Sequence, residues 1–205
     1  MSDYARDLGP PVGARPVLAL LNYTYLLLMM IVIAGILTTA MVLQYAKGEL
    51  PCPLCLLQRV AMFGVCFGIM QNFRSGFSYR NTGYSLLFTI FLLIVSVRQS
   101  LLDIYPRPGH EYIGSAVFGI HMPVWSILIA LALLIAYAIK LAVLGGDEYL
   151  RDTSADKFPT IKKLADIVIV YVIMLCLINL VSVVLQCGLG QCHTTGYELL
   201  KSIRP

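Results

Sequence analysis

The sequence predicts an all-α polytopic membrane helix bundle with five spans. Three observations carry that prediction. Hydrophobic residues make up 59% of the 205-residue chain and charged residues only 13%, against about 25% charged in soluble domains. Mean hydropathy is +0.80. The apolar residues are gathered into five runs of the order of the ~20 residues that cross a bilayer as helix. Little chain remains for a soluble domain, so residues 1–205 read as a single integral membrane domain. A net charge of +4 does not make a nucleic-acid binder here. The basic residues are spread over the short connections between spans, where membrane orientation places them.

Residues 1–16 are a polar lead-in with three prolines. The first span covers residues 17–45 and exceeds the roughly 7–15-residue apolar core of a cleavable signal, so it is expected to stay in the protein. After the connection "AKGELP", span two covers residues 54–70. A polar link over residues 71–84 carries Arg74 and Arg80, and span three covers residues 85–103. Residues 104–123 are broken by Pro106, Pro108 and Pro123. Span four follows over residues 124–144, then a link of mixed charge, then span five over residues 164–185. Residues 186–205 form a tail, "QCGLGQCHTTGYELLKSIRP".

Orientation follows from Lys and Arg in the short loops. Arg6, Arg15, Arg74, Arg80, Arg151, Lys157, Lys162 and Lys163 fall on the side of the N-terminus. Lys47, Arg59, Arg98, Arg107, Lys201 and Arg204 fall on the other. The bias favours a cytoplasmic N-terminus, and five spans then put the C-terminus outside. Cys52 and Cys55, in the first outer connection, and Cys187 and Cys192, just past span five, thereby face one compartment. In a bacterial inner membrane that compartment is oxidising.

Cys66 and Cys176 fall inside spans and read as inert small hydrophobes. Cys52 and Cys55 form a CxxC, open to three readings: a scaffold disulfide, half of a zinc site, or a redox dithiol. At a helix start, free N–H groups and the helix dipole stabilise thiolate. Pro51 and Pro53 stiffen the entry, and Pro53 suits the first turn. Arg59, four residues after Cys55, shares its helix face. Cys187 and Cys192 are separated by a short segment containing Gly188 and Gly190. So short a loop gains little from the entropic stabilisation of a clip, which favours an exchangeable disulfide. Four thiolates, with His193 beside Cys192, make a zinc set on paper. The oxidising side of a membrane disfavours it, and no metal is expected. An arginine at a membrane mouth is either a snorkelling side chain or a functional charge.

"CPLCLLQR", where the first outer connection enters span two, resembles the CxxCxxQR signature of the disulfide bond formation protein B (DsbB) family. "GIHMPVW" at residues 119–125 resembles the segment entering that family's fourth span. "QCGLGQC" with "YELL" at residues 197–200 resembles the tail of a longer, five-span branch. The resemblance covers about residues 20–200. One departure stands out: four-span members carry the second cysteine pair between spans three and four, and residues 104–123 contain no cysteine.

The resemblance implies a four-helix core like that of DsbB plus a fifth transmembrane helix, in the bacterial inner membrane. It implies a quinone-dependent protein disulfide oxidoreductase that reoxidises a periplasmic DsbA-like thioredoxin-fold oxidase. Electrons would pass from that partner to Cys187 and Cys192, then to Cys52 and Cys55, then to ubiquinone or menaquinone. Arg59, Gln58, Arg98 and Gln99 would line the quinone site, with Arg59 holding negative charge where sulfur meets quinone. His110 reads as an interfacial histidine, and His121 as that or a proton carrier. Trp125 reads as an interfacial anchor. Two other readings compete with it. An enzyme of the vitamin K epoxide reductase type would place its CxxC after its second pair. A membrane protein with purely structural disulfides leaves the Gln-Arg following CxxC unexplained.

Overall fold

A computed structural model describes residues 15–46, 48, 51–104, 119–144, 150–151 and 153–188. Within them lie five helices long and apolar enough to cross a membrane. They are α1 (Arg15–Ala46), α2 (Pro53–Ser75), α3 (Tyr79–Ile104), α4 (Met122–Val143) and α5 (Pro159–Cys187). A 3₁₀ turn, Ala155–Lys157, precedes α5. Helix is the form that satisfies every backbone N–H and C=O of a lipid-embedded segment within itself. With 32 residues α1 is ~48 Å long, more than the ~30 Å of hydrocarbon, so it tilts or projects.

Helix ends follow local chemistry. Proline stands in the first turn of α2, α4 and α5, where its missing N–H is no loss. Gly76 (φ 83°) ends α2 and Gly188 (φ 55°) ends α5, both in the positive-φ region that glycine tolerates.

The polar link expected over residues 71–84 is mostly helical. Only residues 76–78 separate α2 from α3. Asn72, Asn81 and Thr82 are buried there, and hydrogen bonds cross the turn. Asn81 donates from Nδ2 to Ser75 Oγ and to the Gly76 carbonyl, both at 3.2 Å, and Ser78 N–H donates to Asn72 Oδ1 at 3.4 Å. Polarity there marks a capped hairpin rather than a loop. In the same way α5 begins at Pro159, five residues before the apolar run. Lys162 in its first turn pairs with Asp156 on the 3₁₀ turn.

The helices run alternately up and down. At one end, Tyr23 of α1 stacks on Phe73 and Phe77 with ring centroids 5.3 and 4.3 Å away, and its hydroxyl donates to the Thr153 carbonyl at 3.0 Å. Lys140 of α4 is fully buried there, donating to Thr82 Oγ1 at 3.3 Å. The opposite end gathers the C-termini of α1, α3 and α5 and the N-termini of α2 and α4. Helix α5 packs against α1 and α2, outside the row formed by α2, α3 and α4.

The tightest seam is between α2 and α3. A Cβ on Gly64 would meet the Phe88 ring, and one on Gly68 would lie 2.7 Å from the Asn81 carbonyl oxygen and 2.8 Å from the Ser85 nitrogen. Small residues four apart let two membrane helices approach closely. At Gly68 the obstacle is backbone, which cannot step aside. Gly68→Val is therefore expected to cost about 1–3 kcal/mol, seen as a lower unfolding temperature in detergent micelles. Gly83→Ala, with nothing within 4 Å of the added carbon, should not lower it.

Candidate redox site

Cys52 caps α2. Its backbone is extended (φ −68°, ψ 160°), and its sulfur accepts the Cys55 N–H at 3.1 Å. Sulfur thus takes the place that a serine or aspartate oxygen usually holds at a helix start. The cap fixes the spacing of the CxxC: Cys52 is buried just outside the helix, and Cys55 lies in the first turn, half-buried. Both are free thiols. The hydrogen bond shared with Cys55, and after it burial, push the Cys52 thiol above the ordinary thiol range. They outweigh the Cys55 and Leu54 N–H groups, which act the other way.

The side chain that joins the two sulfurs is Gln99, near the end of α3. Its Nε2 donates to Cys52 Sγ at 3.4 Å and to Cys55 Sγ at 3.3 Å. Its Oε1 accepts from Gln58 Nε2 at 2.9 Å, and Gln58 Oε1 accepts from Ser126 Oγ at 3.1 Å. Gln58, Gln99 and Ser126 are 6%, 6% and 9% exposed, so the polar chain is closed from water. It crosses α2, α3 and α4.

Arg59 is also buried, but its guanidinium reaches the other way. Nη1 donates to Gln44 Oε1 at 2.6 Å, Met41 Sδ at 3.3 Å and Asn179 Oδ1 at 3.3 Å, and Nη2 donates to the Ala40 carbonyl at 3.1 Å. One planar fork therefore ties α2 to α1 and α5. The spacing of four residues sets its Cα on the Cys55 side of the helix, and the long side chain then swings toward α1 and α5. Among the expected quinone-site residues, Gln58 and Gln99 meet at the CxxC. Arg59 lies one turn inward, and Arg98 is exposed on the neighbouring face of α3.

Cys187 is the last residue of α5 and is disulfide-bonded. Cys192 and His110 lie outside the described residues. The residue before Cys187 makes the link to the CxxC: Gln186 Nε2 donates to the Pro51 carbonyl at 2.9 Å, one residue before Cys52. Cys187 thus ends at the same end of the bundle as Cys52 and Cys55. His121 is exposed and stands at the start of α4, its carbonyl accepting from Val124 and Trp125 N–H at 3.1 and 3.3 Å.

Sequence reasoning missed Gln44, Asn179, Ser126 and Gln186. The signal that could have found them is the same for all four. Each is a polar side chain inside or at the rim of an apolar span, where an unsatisfied polar group is costly and a partner is to be expected.

Residues 22–111 match the family model described as disulfide bond formation protein DsbB. The chain is 36% identical over 85 residues to a disulfide bond formation protein B of Nitrosomonas eutropha, covering 40% of this chain and 52% of that protein. It is 41% identical over 56 residues to one of Cupriavidus necator, covering 25% of this chain and 35% of that protein. The match therefore spans about half of the first relative's length and about a third of the second's. No solved structure matches this chain significantly. The matched residues include Cys52, Cys55, Gln58, Arg59 and Gln99. With the five apolar helices, the match makes this a multi-pass membrane protein.

Proposed function

We propose that this chain, whose residues 22–111 match the DsbB family model, is a membrane thiol:quinone oxidoreductase that supports protein disulfide bond formation. It reoxidises a DsbA-like thioredoxin-fold partner in the periplasm and passes the electrons to a quinone. The observation that carries this reading is the meeting of two sulfur sites at one end of the bundle. The free Cys52 and Cys55 stand there at the mouth of a membrane helix, and the disulfide-bonded Cys187 stands beside the segment leading into them.

The redox steps balance as two-electron, two-proton exchanges. A reduced partner attacks the Cys187–Cys192 disulfide and leaves with its own disulfide closed, and Cys187 and Cys192 become thiols. These reduce a Cys52–Cys55 disulfide in turn and close again. Cys52 and Cys55, now thiols, give up two electrons and two protons and return to the disulfide. A bound quinone supplies the acceptor, taking both electrons and both protons to become quinol.

The residues present suit such a ligand. Cys55 is half-buried at the helix mouth, and α2 and α3 carry lipid-exposed Leu57, Leu101 and Leu102 close by in sequence to Cys55 and Gln99. Leu57, Leu101 and Leu102 would offer apolar surface to a quinone, and Cys55 would offer the sulfur. Arg98 and the buried Arg59 supply positive charge around that entry, and Gln58 and Gln99 supply amide groups. A scaffold role for the disulfides would give no reason for Gln99 to direct an N–H at both free sulfurs.

The test is quinone reduction by the purified protein supplied with a reduced thioredoxin-fold oxidase. The reading expects quinol to form at the rate the partner is oxidised, one quinol per partner disulfide. Partner oxidation without quinol, or no oxidation at all, contradicts it.

A further inference from the structure

We infer that Ser126 is a positioning residue for the CxxC, setting through Gln58 which end of the Gln99 amide faces the sulfurs. The inference rests on the redox-pair reading above and adds to it a residue on a third helix.

A glutamine side chain has a donor end and an acceptor end of nearly the same shape. Gln99 can turn its N–H group to Cys52 and Cys55, as it does, only because its Oε1 has a donor elsewhere. That donor is Gln58 Nε2 at 2.9 Å. Gln58 is ambiguous in the same way, and its orientation is held by the Ser126 hydroxyl, 3.1 Å from Oε1. The chain thus has one direction: Ser126 to Gln58 to Gln99 to the two sulfurs. Ser126 has a single hydroxyl proton and a second acceptor, the Met122 carbonyl at 3.3 Å, the i−4 partner of a helical serine. The reach to Gln58 is the shorter. Burial of all three side chains leaves no water to repair a reversed amide.

Direction matters for redox balance. An N–H group aimed at the sulfurs favours the reduced pair, because a thiolate accepts it more strongly than a disulfide sulfur does. A carbonyl oxygen aimed there opposes it. Ser126 does not touch a sulfur, so its effect travels only through the two amides.

The experiment uses the full-length protein in detergent micelles, freed of quinone and equilibrated with glutathione buffers. The Cys52–Cys55 dithiol passes two electrons and two protons to glutathione disulfide, which leaves as two glutathione thiols. The reduced fraction is read by thiol tagging and peptide mapping. Gln58→Glu has only acceptor oxygens when ionised, so Gln99 must turn its N–H to it and its oxygen to the sulfurs. The equilibrium is expected to move about tenfold toward the disulfide, equal to about 30 mV for a two-electron couple. Ser126→Ala changes no charge and is expected to move it about threefold in the same direction. Ser126→Thr keeps the hydroxyl and should stay within about twofold of the unsubstituted protein.

If Ser126→Ala folds yet stays within about twofold, or if Ser126→Thr shifts as far as Ser126→Ala, the inference is overturned. Should Ser126→Ala fail to fold, Gln58→Glu decides alone, and an unchanged equilibrium there overturns the inference too. The wild-type titration separates the two levels. A wild-type pair that never exchanges with glutathione sinks the redox reading and this inference with it. One that exchanges while the variants match it sinks only the role of Ser126.

Discussion

Cys55→Ala is expected to lower quinone reduction by at least about a thousandfold, the scale on which loss of an essential nucleophile acts. Of the two CxxC sulfurs, Cys55 is the more accessible, at the mouth of α2, and it accepts the Gln99 N–H. Its removal leaves no disulfide for Cys52 to form within the pair. The contrast is Cys176→Ala. That cysteine faces outward from the middle of α5, and its loss should leave turnover within about twofold, as substitutions away from any site do. Following quinone absorbance with a reduced partner in excess reads both variants in one assay. A Cys55→Ala protein that turns over normally means the CxxC is not in the electron path.

Arg59→Met is expected to lower kcat/KM for quinone by about a hundredfold, or ~2.7 kcal/mol of transition-state stabilisation. It should also loosen the bundle. The guanidinium holds Gln44 and Ala40 of α1 and Asn179 of α5 around α2, and methionine replaces none of those bonds. Arg59→Lys separates the two effects. A lysine keeps the positive charge one turn from Cys55 but lacks the planar fork whose two nitrogens reach α1 and α5 together. Turnover should return in part with Arg59→Lys, and the unfolding temperature should stay low. Recovery of stability without recovery of turnover would mean that Arg59 acts by shape and not by charge.

The five helices were legible because lipid allows few alternatives: a run of ~20 apolar residues must close its own hydrogen bonds. Their ends were less legible. Asn72, Ser75 and Asn81 look like loop residues, yet Asn81 bonds to Ser75 and to Gly76, and Asn72 accepts from Ser78 in the turn between α2 and α3. Polarity says only that a group needs a partner, and the partner is set by tertiary packing. The CxxC and its entry into α2 were legible because Pro53 and the cysteine spacing are local features.

The direction of Arg59 was not. A spacing of four residues fixes where the Cα sits on a helix, and the long side chain then crosses to Gln44 and Asn179, far away in sequence. Gln99 was expected in the site, but that its amide donates to both sulfurs is set by packing that residue spacing does not encode. Gln186 and Ser126 could be paired with Pro51 and Gln58 only once α4 and α5 had been packed against α2.

The central claim is a relay in which Cys187 receives electrons from a protein partner and the CxxC delivers them. Cys187→Ala tests it most directly, with quinone reduction measured twice on one preparation. With a reduced thioredoxin-fold oxidase as donor, quinol formation should fall to background. With a small dithiol that reaches Cys52 and Cys55 without the tail, it should continue near the unsubstituted rate. If Cys187→Ala accepts electrons from the protein partner as fast as the unsubstituted chain, the tail is outside the path and the relay is contradicted.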